Sequence, residues 1–272
     1  MQKTENSQIP VVILCGGFGT RLGEETDAKP KPMVEIGGRP ILWHIMKHYS
    51  HYGFSNFILC LGYKGHIIRD FFLNYENLTR DVRVRTGTNK SIEILGHERS
   101  EDWNIILADT GASAMTGARI KRIEKYIDSE VFLLTYGDGL SNINLDNLLK
   151  FHEKSGKIGT VTGVRPPARF GELIVDAKNE KVLQLSDKSN SSHAFINGGF
   201  FAFQRKFFQY LSEDDDCTLE KKPLEKLATD DQLKMFQHDD FWQCMDTPRD
   251  MNLLRSLWSE NRAPWKNWQD QQ

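Results

Sequence analysis

The 272-residue chain sets 35 Lys and Arg against 37 Asp and Glu, a formal net charge of −2. That balance argues against a nucleic-acid binder, whose partner demands a surplus of positive charge. Aromatic residues make up 11% of the chain, too many for a disordered polypeptide, and no apolar run approaches the roughly 20 residues of a membrane span. Residues 1–8 contain no apolar core of a secretion signal. Cys15, Cys60, Cys217 and Cys244 lie far apart with no CxxC pairing, which predicts reduced thiols in a cytoplasmic protein and no zinc site.

Strand and helix patterns alternate through the first half. Val11-Val12-Ile13-Leu14-Cys15 is an apolar run ending in Gly16-Gly17, the pattern of a buried parallel strand. Pro40 stands where a first helical turn accepts proline, and Ile41, Leu42, Ile45, Met46 and Tyr49 then recur on one helical face. Residues 57–61 predict a second strand; Ile67, Ile68, Phe71, Phe72 and Tyr75 predict a second helix. Residues 105–108 predict a third strand, and 117–127 a helix with Ile120, Ile123 and Ile127 inward. Residues 131–136 predict a fourth strand, which stops at Gly137-Asp138-Gly139. This alternation predicts an α/β fold, a Rossmann-like and mostly parallel sheet flanked by helices.

The second half is more β-rich. Residues 159–164, 173–175, 182–185 and 194–203 read as extended, with a hairpin turn at 177–180. Helical segments are expected near 207–211, 224–228 and 251–258, and Asp214-Asp215-Asp216 reads as a solvated loop. With no repeat and no low-complexity linker, residues 1–272 are expected to form one domain whose two parts meet near residue 150.

The loop after the first strand is the most informative stretch. Its glycines let the backbone turn tightly and bring N–H groups against an anion. A P-loop is excluded because no GxxxxGK[ST] string exists, and a dinucleotide fingerprint starting at Gly17 meets Leu22 where its third glycine belongs. Arg21 follows the glycines, and Lys29-Pro30-Lys31-Pro32-Met33-Val34 arrives soon after, its prolines predicting a stiff, extended segment that aims the lysines.

The string Gly16-Gly17-Phe18-Gly19-Thr20-Arg21-Leu22, followed by Lys29-Pro30-Lys31-Pro32-Met33, resembles the signature of sugar-1-phosphate nucleotidyltransferases. Later strings resemble the cytidylyltransferase branch of that family and extend the resemblance nearly end to end. They include Thr135-Tyr136-Gly137-Asp138-Gly139, Ile196-Asn197-Gly198-Gly199-Phe200-Phe201, and residues 34–38, 41–47, 62–65, 109–111, 115–117 and 263–266.

The resemblance implies transfer of a cytidylyl group from CTP to α-D-glucose 1-phosphate, giving CDP-glucose and pyrophosphate for dideoxysugar and surface-polysaccharide precursors. It also implies Mg²⁺ as cofactor and a homo-oligomer. Residues 10–150 would form the nucleotide-binding part and 151–272 the sugar-binding and C-terminal part. The nucleophile is a phosphate oxygen ionised at neutral pH, so no general base is needed; positioned cations and backbone donors do the work. Arg21 would grip the β- and γ-phosphates, and Lys31 would meet the α-phosphate in the transition state. Leu14, Cys15, Gly16, Gly17, Phe18, Gly19, Thr20, Arg21, Thr110, Gly111, Ser113, Gly117 and Ala118 fall on the nucleotide side, where Gly117 or Ala118 would let the ligand approach closely. Gly171, Asp187, Lys188 and Asn197 fall on the sugar-phosphate side, while Asp138 and Asp246 match the metal-holding aspartates.

Other readings stand beside these. Without the resemblance, Asp138 is equally a turn aspartate, and Asp246 a helix N-cap ahead of Thr247-Pro248. Asp109-Thr110-Gly111 mimics an aspartic-protease string, but that chemistry needs two facing carboxylates on an all-β body. A different nucleotide or sugar phosphate, or a non-catalytic sensor, would retain the fold. The chain departs from the family pattern at Asp187-Lys188-Ser189 in place of Glu-Lys-Pro, at Ala118 and Cys15, and at Lys222-Pro223-Leu224, mostly on the sugar side. Trp258, Trp265 and Trp268 could anchor a subunit contact or cover the chain's own core.

Overall fold

A computed structural model of the chain describes residues 6–17, 19, 22–23, 25–96, 101–165, 172–176, 181–186 and 194–269. Four parallel strands carry the first half. Val11–Leu14 lies between Asn56–Leu61 and Val131–Tyr136, and Asn104–Asp109 lies beyond Asn56–Leu61. Their spatial order reverses direction between Val11–Leu14 and Val131–Tyr136. An open α/β sheet leaves a crevice at such a reversal, outside the carboxyl ends of the strands.

Both faces of the sheet are covered, which explains apolar runs without alternation. Val11 and Ile13 join the core formed with helices Ile41–His51 and Pro248–Ser259. Val12 and Leu14 join the opposite core with Ile120, Ile123, Ile127, Phe207 and Phe208. Trp265 is fully buried and Trp268 nearly so, while Trp258 lies near-parallel to Trp265 at 6.3 Å between ring centroids. These tryptophans therefore serve the chain's own core.

The second half extends the sheet. Phe201–Gln204 pairs antiparallel with Val131–Tyr136, and Gly159–Val164 pairs antiparallel with Phe201–Gln204 and Ile196–Asn197. Leu233–His238 adds on parallel to Gly159–Val164. The α/β sheet with flanking helices is as expected, with parallel pairing in the first half and mixed pairing in the second. Glu172–Asp176 and Lys181–Ser186 form an antiparallel hairpin; its predicted turn at 177–180 lies outside the described residues. No helix among the described residues is long and apolar enough to cross a membrane.

Several local expectations need correction. The extended run predicted at 194–203 splits into two strands because Gly199 and Phe200 take positive φ values of 73° and 48°. Residues 205–210 wind as a 3-10 helix, and the predicted helix 117–127 is α-helical only over Thr116–Arg122 before a 3-10 turn. Lys31–Met33 is a 3-10 turn instead of an extended segment; proline's fixed φ suits its first positions, and only the flanking Pro30 and Val34 remain extended. Helix Leu145–Ser155 and the hairpin of Val82–Arg85 with Ser91–Ile94 were not anticipated.

Candidate active site

A cavity of about 410 Å³ opens at the reversal of strand order. Leu14 to Gly17, Gly19, Lys31 and Pro32 form one wall, Ser113 to Thr116 with Arg119 another, and Tyr136 to Asp138 with Asp246 the remainder. The glycines serve different ends. A Cβ on Gly137 would fall 2.7 Å from the Leu14 carbonyl oxygen, so that glycine permits close backbone approach. A Cβ on Gly17 would meet nothing within 4 Å, so its missing side chain leaves cavity space open.

Lys31 is delivered by the 3-10 turn after Pro30. Its Nζ donates to Asp138 Oδ2 at 2.6 Å and to Asp246 Oδ1 at 2.5 Å. Asp138 follows strand Val131–Tyr136. Asp246 reaches it because Trp242–Cys244 pairs antiparallel with Gly139–Ser141 and Met245 N donates to the Asp138 carbonyl at 2.9 Å. The N-cap alternative for Asp246 does not hold: Thr247 caps helix Pro248–Ser259 in a reciprocal capping box with Asp250. The Asp246 carboxylate is turned toward Lys31.

Burial opposes the Lys31 ammonium, but the adjoining carboxylates outweigh it and hold its pKa above the ordinary value. One cation between two anions leaves net negative charge. The ligand atoms of Asp138, Asp246 and Cys244 lie within 4.8 Å of one another. Burial, and then Asp138, push the Cys244 thiol up, so it stays protonated and the two hard carboxylates are the groups fit for a divalent cation.

Arg119 is the residue that sequence reasoning missed. It is 4% exposed. Nη1 donates to the Leu61 carbonyl at 3.0 Å, Thr110 Oγ1 at 2.9 Å and the Gly111 carbonyl at 2.7 Å; Nη2 donates to the Gly16 carbonyl at 3.1 Å and the Ala112 carbonyl at 3.3 Å. One side chain thus ties together the loops after three parallel strands. It needs glycine on both sides, since a Cβ on Gly16 or Gly62 would fall 2.2 or 2.3 Å from the guanidinium. Arg119→Met keeps most of the bulk and removes the donors. It is expected to cost about 2–4 kcal/mol, because buried carbonyls lose their partners. Thermal melting should show a drop of several degrees.

The expected nucleotide side divides in two. Leu14, Cys15, Gly16, Gly17, Gly19 and Ser113 line the cavity, whereas Thr110 and Gly111 stand behind it, bonded to Arg119. Gly117 and Ala118 also lie behind the wall. A Gly117 Cβ would meet Cys217 Sγ at 2.6 Å, and Ala118 N donates to the Cys217 carbonyl at 3.0 Å. The missing side chain of Gly117 makes room for the Cys217 segment, and Ala118 is fully buried beside it. Asn197 stands one hydrogen bond beyond the wall, its Nδ2 donating to Tyr136 OH at 3.1 Å. Phe18, Thr20, Arg21, Gly171, Asp187 and Lys188 lie outside the described residues. Asp109 ends a parallel strand and accepts from Gly111 N at 3.0 Å, a local turn unlike a protease dyad.

Residues 10–268 match the family described as nucleotidyl transferase. The chain is 48% identical over 259 residues to the glucose-1-phosphate cytidylyltransferase of Salmonella typhimurium, covering 95% of this chain and 99% of that one. A Bacillus subtilis relative is 43% identical over 257 residues, covering 94% and 99%. The inositol-1-phosphate CTP transferase of T. maritima superposes with a TM-score of 0.62 at 17% identity, covering 97% and 99%, which shows the shared fold. The chain belongs to the nucleotidyl transferase family and, within it, to the glucose-1-phosphate cytidylyltransferases.

Proposed function

We propose that the chain transfers the cytidylyl group of CTP to α-D-glucose 1-phosphate, forming CDP-glucose and pyrophosphate. The observation that carries this reading is Lys31 held between Asp138 and Asp246 at the reversal of the sheet, in a chain 48% identical to a glucose-1-phosphate cytidylyltransferase. An oxygen of the sugar phosphate attacks the α-phosphorus of CTP. The new P–O bond forms as the bond to the bridging oxygen breaks, and the electron pair leaves with pyrophosphate. No proton must be removed from the nucleophile, so the protein aligns two polyanions and offsets their charge.

Lys31 meets the α-phosphate oxygens, and backbone N–H groups of Gly16 and Gly17 with Arg21 receive the β- and γ-phosphates. Asp138 and Asp246 would hold Mg²⁺, which neutralises phosphate charge when bound. Ser113 lies on the base and ribose side. Asn197, with Gly171, Asp187 and Lys188, would serve the sugar phosphate, as the family resemblance implies. Residues 10–150 thus serve the nucleotide and 151–272 the sugar, within one domain that assembles as a homo-oligomer. The wide spacing of Cys15, Cys60, Cys217 and Cys244 in the sequence supports a reducing, cytoplasmic setting.

Cytosine presents an amino donor where uracil presents an acceptor, and fixed backbone groups in the pocket leave the wrong base with an unpaired edge. CTP is therefore expected to exceed UTP in kcat/KM by at least tenfold, about 1.4 kcal/mol. Phosphate release coupled to pyrophosphatase, with glucose 1-phosphate and each nucleotide in turn, measures this. A tenfold advantage for UTP would overturn the cytidylyl assignment, and no release with any pair would leave a non-catalytic sensor.

A further inference from the structure

Residues 213–220 dock across the loop that carries Ser113 to Thr116. Met115 N donates to the Asp215 carbonyl at 2.8 Å, and Arg122 pairs with the Asp215 carboxylate at 2.7 Å. This segment delivers Glu220, whose carboxylate is gripped from two sides. Oε2 accepts from the Thr116 hydroxyl at 2.8 Å, and Oε1 accepts from the Tyr136 hydroxyl at 2.6 Å. Both donors line the cavity, while Glu220 itself is exposed. The Tyr136 hydroxyl also accepts from Asn197, whose Oδ1 accepts from Gly199 N at 2.9 Å.

A carboxylate oxygen can accept more than one hydrogen bond, and among the described residues each oxygen of Glu220 takes one. Acceptor capacity therefore remains, preset in direction by Thr116 and Tyr136. A fixed negative charge disfavours the phosphate end of a substrate and suits the end that carries hydroxyl donors. Two substrates could supply adjacent hydroxyls, the hexose and the ribose of the nucleotide. The chain of contacts favours the hexose, because it runs from Glu220 through Tyr136 to Asn197, on the second-half part of the sheet.

Resting on the cytidylyl-transfer reading above, we propose that Glu220 is a specificity-determining residue that accepts hydrogen bonds from ring hydroxyls of the hexose 1-phosphate. Tyr136 and Thr116 are its positioning residues. Asn197 in turn fixes Tyr136.

The test compares wild type with Glu220→Gln, by steady-state kinetics and by calorimetric binding of CDP and CDP-glucose. The variant is expected to raise KM for glucose 1-phosphate at least tenfold, about 1.4 kcal/mol. KM for CTP should stay within about twofold, the pattern of a contact to one substrate alone. The preference for glucose 1-phosphate over at least one of its ring-deoxy analogues should collapse, which a merely structural role would not cause. CDP affinity should persist, showing an intact fold, while CDP-glucose affinity falls. Glu220→Asp, which keeps the charge one methylene further back, should show the same selective loss in smaller degree.

Unchanged KM for glucose 1-phosphate and unchanged CDP-glucose affinity would overturn the proposal. So would a raised KM for CTP with lost discrimination against 2′-deoxy-CTP, which would assign Glu220 to the ribose. If wild type instead used UTP or another hexose phosphate, the earlier reading would fail. Glu220→Gln would still be expected to raise KM for whichever hexose phosphate is turned over.

Discussion

Lys31→Ala is expected to lower kcat for CDP-glucose formation by about 10²–10³-fold, the scale seen when one donor to a developing oxyanion is removed. The ammonium sits between Asp138 and Asp246 before substrate arrives, and those carboxylates keep it protonated despite its burial. It is therefore available as a full charge when the α-phosphorus is attacked. Interactions that strengthen in the transition state act on kcat, so CTP affinity should change less. Lys31→Arg should not restore activity. A planar guanidinium is larger, and the turn around Pro30 and Pro32 leaves the backbone little freedom to reposition it. Single-turnover rates with saturating substrates measure the effect, and near-normal rates in Lys31→Ala would remove the residue from the catalytic set.

Asp138→Asn and Asp246→Asn are each expected to raise the Mg²⁺ concentration for half-maximal activity by about tenfold or more, and to lower kcat. On the proposed metal role each substitution removes one of two hard anionic ligands, and it also removes one partner of Lys31. Their effects should therefore be non-additive in the double variant, since both act on one cluster. Chelation should abolish turnover, and added Mg²⁺ should restore it. Binding of Mn²⁺ followed by electron paramagnetic resonance supplies a readout independent of activity. Unchanged Mn²⁺ affinity in both single variants would place the metal elsewhere.

Much of the parallel half was legible from local pattern. Val11–Leu14 and Val131–Tyr136 are apolar throughout because a strand covered on both faces has no solvent side to alternate toward. Helix Leu145–Ser155 carries an equally readable pattern, with Leu145, Leu148, Leu149 and His152 buried, Asn144 as N-cap and Gly156 at φ 62° as C-cap. A reading built on apolar runs passes over it because its mean composition is polar. Strand Leu233–His238 shows no clean alternation: it lies at the outer edge beside Gly159–Val164, and all six of its residues are partly or fully exposed.

For the site, the sequence by itself singled out candidate residues, through glycine geometry and through motifs that resemble the family. The glycines before the cavity, the lysine set among prolines, and the aspartate at the end of a buried strand are all encoded within a few neighbouring positions. Only the tertiary structure decided which distant groups meet them. Lys31 and Asp246 are 215 residues apart, yet the pairing of Trp242–Cys244 with Gly139–Ser141 brings them to hydrogen-bond distance. Arg119 reads as one more cation on a helix until its guanidinium is seen binding the loops after three strands. Gly117 reads as room for a ligand until Cys217 is found in that space. Local pattern records backbone geometry and burial period. The strand pairings and segment dockings that set these contacts arise from the whole folded chain, and no short stretch of sequence carries them.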